Sequence, residues 1–88
     1  EVEIKINKQN KRGDIVVFDQ TGNPFLLIEC KAPEINLNEQ VVNQVMQYND
    51  QLQVPYVAIS NGIEHQIISI DYAKKSQQKV VDFPQAPE

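Results

Sequence analysis

Residues 1–6 alternate, with Val2, Ile4 and Ile6 on one side and Glu1, Glu3 and Lys5 on the other. A period of two predicts a half-exposed strand. Residues 7–13 are polar, include Gly13 and predict a turn. The β-branched and aromatic run 14–18 predicts a second strand. Asp19-Gln20-Thr21-Gly22-Asn23-Pro24 is dense in turn formers. The run 25–31 that follows is apolar on both faces through Ile28, as a central strand would be. Pro33 stops it. Asn36, with Glu39 three residues on, reads as a capping-box start, and Val41, Val42, Val45, Tyr48 and Leu52 recur at helical spacing. A helix over 37–52 is expected, ended before Pro55. Residues 56–60 predict a fourth strand and 63–70 a fifth, joined at Asn61-Gly62, a pair suited to a type I′ turn because both positions there need positive φ. From Asp71 the chain is polar apart from Val80, Val81 and Phe83, with Pro84 and Pro87 near its end, and fraying is expected.

The order strand, strand, strand, helix, strand, strand predicts an α/β fold: a small mixed sheet of about five strands with one main helix packed on it. At 88 residues there is room for a single domain, over 1–83, with 84–88 as a frayed tail. A chain this short buries only about 60–65% of its unfolded surface and is marginally stable alone, which suits a piece of something larger. With 41% apolar and 23% charged residues, the composition is globular. No apolar run approaches the roughly 18 residues of a membrane span, and the first residues lack signal-peptide character. A single cysteine leaves no internal disulfide and suits a reducing compartment, so a cytoplasmic location is expected. The net charge of −4 argues against a protein that coats nucleic acid. It leaves a nuclease open, because metal-binding acids lower the charge where nucleic acid must approach.

The third predicted strand carries an anomaly. Side chains alternate, so Phe25, Leu27, Glu29 and Lys31 share one face, and Leu26, Ile28 and Cys30 the other. A carboxylate and an ammonium ending an otherwise buried row are costly unless paired or bound to an ion. Folding 14–18 onto 25–31 about Thr21–Gly22 pairs Phe18 with Phe25, Val16 with Leu27 and Asp14 with Glu29. This register keeps the apolar faces together. It also sets two carboxylates side by side, with Cβ atoms roughly 5 Å apart. A hard divalent cation removes the repulsion between them, and Mg²⁺ suits one or two carboxylates plus water and substrate phosphate. Lys31 would sit next to that cation, positioned to orient water or stabilise phosphate charge. The bland reading of the same residues is a surface Glu29–Lys31 pair, with Asp14 capping a turn after Gly13.

Other candidates carry less. Gln40, Gln44, Gln47 and Gln51 read as the wet face of the helix, although Gln44 and Tyr48 stand one turn apart and can point together. His65 has no second His or Cys at ligand spacing and reads as structural, on an outer strand. Cys30 faces away from the acids and reads as a small core residue. Lys74, Lys75 and Lys79 read as solvated surface.

Gly13-Asp14, followed by Glu29-Cys30-Lys31 and then a helix, resembles the PD-(D/E)XK nuclease pattern. The wording Arg12-Gly13-Asp14-Ile15-Val16-Val17-Phe18 and Leu27-Ile28-Glu29-Cys30-Lys31-Ala32-Pro33 is similar to the N-terminal nuclease domain of type I restriction enzyme R subunits. Gln44-X-X-X-Tyr48 resembles the helix motif of RecB-type nucleases in the same superfamily. The resemblance spans about residues 10–60 and implies a restriction-endonuclease-like core. It implies Asp14 and Glu29 as metal ligands with the Cys30 carbonyl, Lys31 as the catalytic lysine, and Gln44 with Tyr48 as supports of the site or the DNA backbone. The activity implied is Mg²⁺-dependent DNA endonuclease chemistry, with Mn²⁺ as a substitute. The partners implied are DNA and the specificity and methyltransferase subunits of a restriction system. Gly13 stands where the wider pattern has proline. Members begin with a helix, whereas this sequence starts at a strand and carries no Gly-X-X-X-X-Gly-Lys, so a fragment is expected. Two alternatives stand beside this reading: a catalytically inactive module of the same fold for DNA binding or subunit assembly, and an unrelated small α/β interaction domain.

Overall fold

The computed structural model describes residues 3–9 and 12–81, with side chains from Ile15 onward apart from Tyr48 and Gln51. Six strands and one helix follow in order: β1 (Glu3–Gln9), β2 (Arg12–Phe18), β3 (Pro24–Cys30), α1 (Glu39–Leu52), β4 (Tyr56–Ser60), β5 (His65–Asp71) and β6 (Ser76–Val80). The strands form one mixed sheet in chain order, β1 to β6. Only β3 and β4 are parallel, and α1 is the crossover between them. An antiparallel pair can be joined by a tight turn, but a parallel pair needs such a crossover. The expected α/β architecture is therefore present.

The helix packs over β3 and β4. Beneath it lie Val16, Leu27, Val57, Ile59 and Ile68 from four neighbouring strands, closed by Leu37, Val45 and Val54. Leu27, Val57 and Ile59 are fully buried there. On the opposite face Phe25, Leu26, Ala58 and Ile67 form a second cluster, joined at its edge by Tyr56 and Val80.

Several boundaries differ from the sequence expectation. The segment 7–13 is mostly strand, because β1 continues to Gln9 and pairs with a β2 that begins at Arg12. Asn38 rather than Asn36 caps the helix, its Oδ1 accepting from the Val41 N–H at 3.0 Å. The Asn61-Gly62 hairpin forms, but as a four-residue loop in which Gly62 alone has positive φ, so the turn is not type I′. Asn61 instead accepts from the Ile63 and Glu64 N–H groups through Oδ1. Residues 76–80, expected to fray, pair with β5 as β6. Residues 84–88 lie outside the described residues.

The β2–β3 register carries a shift between Val17 and Phe18, so that Phe18 opposes Pro24 rather than Phe25. A bulge of this kind turns one residue out of the alternation. Phe25 accordingly joins the cluster away from the helix, where its ring meets Tyr56 edge-on at 5.4 Å. It does not share the face of Leu27 and Glu29. The turn itself is held by Asp19, whose Oδ1 accepts from the Thr21 N–H, the Thr21 hydroxyl and the Asn23 N–H. These donors, the Thr21 hydroxyl foremost, hold its carboxyl below the ordinary aspartate range.

The helix ends in a polar knot absent from the apolar pattern. Asn49 is buried; its Oδ1 accepts from the Val54 N–H and its Nδ2 donates to the Tyr72 hydroxyl, which donates to the Val54 carbonyl at 2.6 Å. Burial raises the Tyr72 phenol above its ordinary value, against the Asn49 contact, which lowers it. Asn49→Ala strands the N–H of fully buried Val54, and an orphaned buried donor costs about 1–3 kcal/mol. Urea unfolding is expected to show that loss. Tyr72→Phe, which takes the partner from the Asn49 Nδ2 and from the carbonyl of fully buried Val54, should cost a comparable amount. Equal stabilities for wild type and Asn49→Ala would refute the role given to this knot.

Candidate active site

The site grows out of the end of the central strand. β3 is flanked by β2 on one side and β4 on the other, so every second residue faces the helix-covered core. Leu27 takes one such position and Glu29 the next. Glu29 is 1% exposed, among the most deeply buried side chains described. A carboxylate there is costly without a compensating charge. One is at hand: Lys31 Nζ lies 3.4 Å from Glu29 Oε2, with a side chain only 9% exposed. The pair is therefore an interior one, not the surface i,i+2 pair of the bland reading.

The backbone register brings the second acid into line. Asp14 opposes Glu29 across β2–β3, with Val16 opposite Leu27, as the apolar pattern requires. The Asp14 side chain lies outside those described. On the other side Glu29 opposes Ile59 and Ile59 opposes Gln66, so the row Asp14–Glu29–Ile59–Gln66 crosses four strands. Gln66 donates through Nε2 to the Leu37 carbonyl, tying β5 to the segment that enters the helix.

The remaining expected residues separate. Cys30 is exposed, not a core residue; its backbone is paired with Gly13 and Ser60 on the two sides. The Lys31 N–H donates to the Ser60 carbonyl at 2.7 Å, which extends the β3–β4 ladder past the end of β3 and fixes the lysine backbone. Gln44 is exposed on α1, as are Gln40 and Gln47. Tyr48 follows Gln44 by one turn, with a side chain outside those described. Lys74, Lys75 and Lys79 are exposed, as expected of solvated surface. His65 lies on β5, which is flanked by β4 and β6 rather than being an outer strand.

Two features escaped the sequence reading. Ser60 Oγ lies 2.7 Å from His65 Nδ1 and accepts from the Gly62 N–H. Asn61 is buried and donates through Nδ2 to the Ile35 carbonyl, which locks the β4–β5 loop to the segment after β3. Adjacent Ser and Asn ahead of a glycine signalled a turn, but not the cross-loop bond. A groove of about 400 Å³ between the start of α1 and β5–β6, lined by Asn38, Val42, Gln66 and Lys79 among others, does not include Glu29 or Lys31.

Among the described residues, no three His, Cys, Asp or Glu side chains cluster as a ready metal site. The register sets Asp14 opposite the buried Glu29 carboxylate, and the donors the resemblance implies, these two carboxylates and the Cys30 carbonyl, are all oxygens. Hard oxygen donors of this kind fit Mg²⁺ and suit neither zinc nor a soft metal. A lysine held against one of the acids adds a cation for an anionic substrate.

Among the described residues no helix is long and apolar enough to cross a membrane. A family model described as type I restriction enzyme R protein N terminus matches residues 1–84. No curated protein and no solved structure matches the chain. With nearly its whole length matched, and with Asp14, Glu29 and Lys31 brought to one end of a mixed sheet, the chain belongs to the family of type I restriction enzyme R protein N termini.

Proposed function

We propose that this chain is the Mg²⁺-dependent DNA endonuclease domain of a type I restriction R protein, hydrolysing phosphodiester bonds. The observation that carries the reading is the pairing of Asp14 with Glu29 across β2–β3, with Lys31 Nζ 3.4 Å from the buried Glu29 carboxylate. Asp14, Glu29 and the Cys30 carbonyl hold the ion, with Mn²⁺ as a substitute. When bound, such an ion supplies Lewis acidity and lowers the pKa of water.

The chain's own residues supply the rest. Glu29 gives a negative charge in a low-dielectric setting, where its attraction for a cation is stronger than in water. Lys31 exchanges part of its attraction to Glu29 for a phosphate oxygen, and so stabilises the charge that grows on the phosphate oxygens as water attacks. Its backbone bond to Ser60 holds the lysine stem in place, so little reorganisation is required at the moment of reaction. Gln44 and Tyr48, one turn apart on α1, steady the site or the DNA backbone. The working partners are DNA and the specificity and methyltransferase subunits of the restriction system, in the cytoplasm.

The test uses the full-length protein that contains this chain. Plasmid cleavage should require Mg²⁺ or Mn²⁺ and be lost in both Asp14→Ala and Glu29→Ala. Paramagnetic broadening by Mn²⁺ should show weak binding that Glu29→Ala abolishes, because two carboxylates without substrate phosphate are only part of a shell. Equal Mn²⁺ binding by wild type and Glu29→Ala refutes the metal site. DNA binding without any divalent-dependent cleavage would favour the inactive assembly module instead.

A further inference from the structure

Between Lys31 and the helix the chain has no ladder of its own, because β3 ends at Cys30 and α1 starts at Glu39. Among the described residues, three hydrogen bonds tie this segment to the β4–β5 hairpin. The Ser60 carbonyl accepts from the Lys31 N–H, Asn61 Nδ2 donates to the Ile35 carbonyl, and Gln66 Nε2 donates to the Leu37 carbonyl, each at 2.7 Å. Of the two ends of an amide only the NH₂ can face a carbonyl, so the partners themselves fix how both amides are turned. Within the segment the Ile35 N–H donates to the Ala32 carbonyl at 3.0 Å, which links the residue gripped by Asn61 to the neighbour of Lys31.

Gln66 is the costly member. It alternates along β5 with Ile68 and Ile70, which belong to the helix-covered core, and it stands opposite Ile59 of the same core. Its Oε1 is sealed from solvent and has no hydrogen-bond partner among the described residues. An orphaned buried acceptor destabilises, so a reason other than stability is needed for it. A leucine or isoleucine would continue the apolar row without that cost. What the glutamine alone provides is the N–H on the Leu37 carbonyl. Asn61, 4% exposed, divides its amide between two tasks: Oδ1 closes its own loop by accepting from Ile63 and Glu64, and Nδ2 reaches across to Ile35.

We propose that Asn61 and Gln66 form a clamp that positions Lys31, by fixing the segment that leads from it into α1. This rests on the nuclease reading of Lys31. Both amides act through the backbone they hold, so they are positioning residues. Loss of either grip should leave DNA binding intact and slow the chemical step, because a displacement of about 1 Å at a reacting group can cost about 10²-fold. One net hydrogen bond is worth at most about tenfold in an equilibrium constant, so a kcat loss of about tenfold is expected for each variant.

The test compares Gln66→Leu and Asn61→Asp in the full-length protein, with Asn49→Ala, which loosens the far end of α1, as the control. Gln66→Leu exchanges the orphaned Oε1 for an unpaired Leu37 carbonyl, so its urea midpoint should stay close to that of wild type. Asn61→Asp keeps an acceptor for Ile63 and Glu64 and loses the donor to Ile35. Deuterium uptake by the peptide spanning residues 31–38, read by mass spectrometry, should be about tenfold faster in both variants and unchanged in Asn49→Ala. In Mg²⁺, kcat should fall about tenfold in both, while Kd for a DNA duplex in EDTA stays within about twofold of wild type. Wild-type uptake in Gln66→Leu overturns the clamp, as does faster uptake with kcat kept. An equal fall of kcat in Asn49→Ala makes the effect one of general stability and overturns it too. Because uptake is read without metal or DNA, the grip on the segment is decided even if the wild-type protein proves unable to cut. That second result would sink the nuclease reading on its own.

Discussion

Lys31→Ala is expected to cleave DNA about 10²–10³-fold more slowly than wild type in the full-length protein, with DNA binding reduced far less. The magnitude follows from removing one positioned charge at a centre of developing negative charge, worth about 2.7–4 kcal/mol at oxyanion-hole donors. The structure adds a second consequence. Lys31 is the cation 3.4 Å from a carboxylate that is 1% exposed, so alanine removes its counter-charge as well as the proposed catalytic group. Breaking a buried pair by deleting one partner destabilises, by up to about 3–5 kcal/mol where the remaining charge is fully sealed. The variant should therefore unfold at lower urea than wild type. Plasmid nicking must accordingly be measured well below the unfolding transition, with circular dichroism as the control. Lys31→Arg keeps a cation and should recover most of the stability. It should recover little of the rate, because a planar guanidinium cannot occupy the same point beside the phosphate. Full cleavage by a folded Lys31→Ala protein would remove the lysine from the mechanism.

Leu27→Ala should be the most damaging core change for the fold, at about 2–5 kcal/mol. Leu27 is fully buried and packs with Val16, Val45, Val57 and Ile59, so it joins β2, β3, β4 and the helix at one point. A domain of this size has of the order of 5–10 kcal/mol in all, so the loss is a large fraction of its stability. Leu27 is also two residues before Glu29 on the same strand and face, so a shift of β3 to fill the cavity moves the acid with it. Urea unfolding should show the lower midpoint, and cleavage should fall even where the variant is still folded. A change below about 1 kcal/mol would mean that the helix closes onto the strand without loss, and that Leu27 is not the keystone of this layer.

The resemblance and the acid pair were readable in the chain because both depend on local order. Strand periodicity, the Thr21–Gly22 turn and the rule that apolar faces stay together are enough to place Asp14 opposite Glu29, and that pairing is present. Gln44 and Tyr48 were readable only as helical neighbours. Helical spacing says nothing of how the helix is rotated against the far end of a strand, and Gln44 is exposed.

By itself, then, the amino-acid order determined the strand and helix sequence through residue 70, the helix after the third strand, and the Asp14–Glu29 register. These follow from periods, turn formers and hairpin geometry, all of which act within a few tens of residues. Tertiary structure decided the rest. The shift at Val17–Phe18 sends Phe25 to the other face, because a bulge adds one residue without leaving a mark in the hydrophobic pattern. β6 forms although Ser76-Gln77-Gln78-Lys79 has no apolar alternation, because β5 offers a ladder to pair with and Val80 packs beside Ile67. Its turn is closed by Lys75 at φ 53°, where no glycine announces it. The depth of Glu29 was not legible either: only the helix laid over β3 and β4 removes that carboxylate from water, and with it makes the adjacent Lys31 a partner rather than a surface charge.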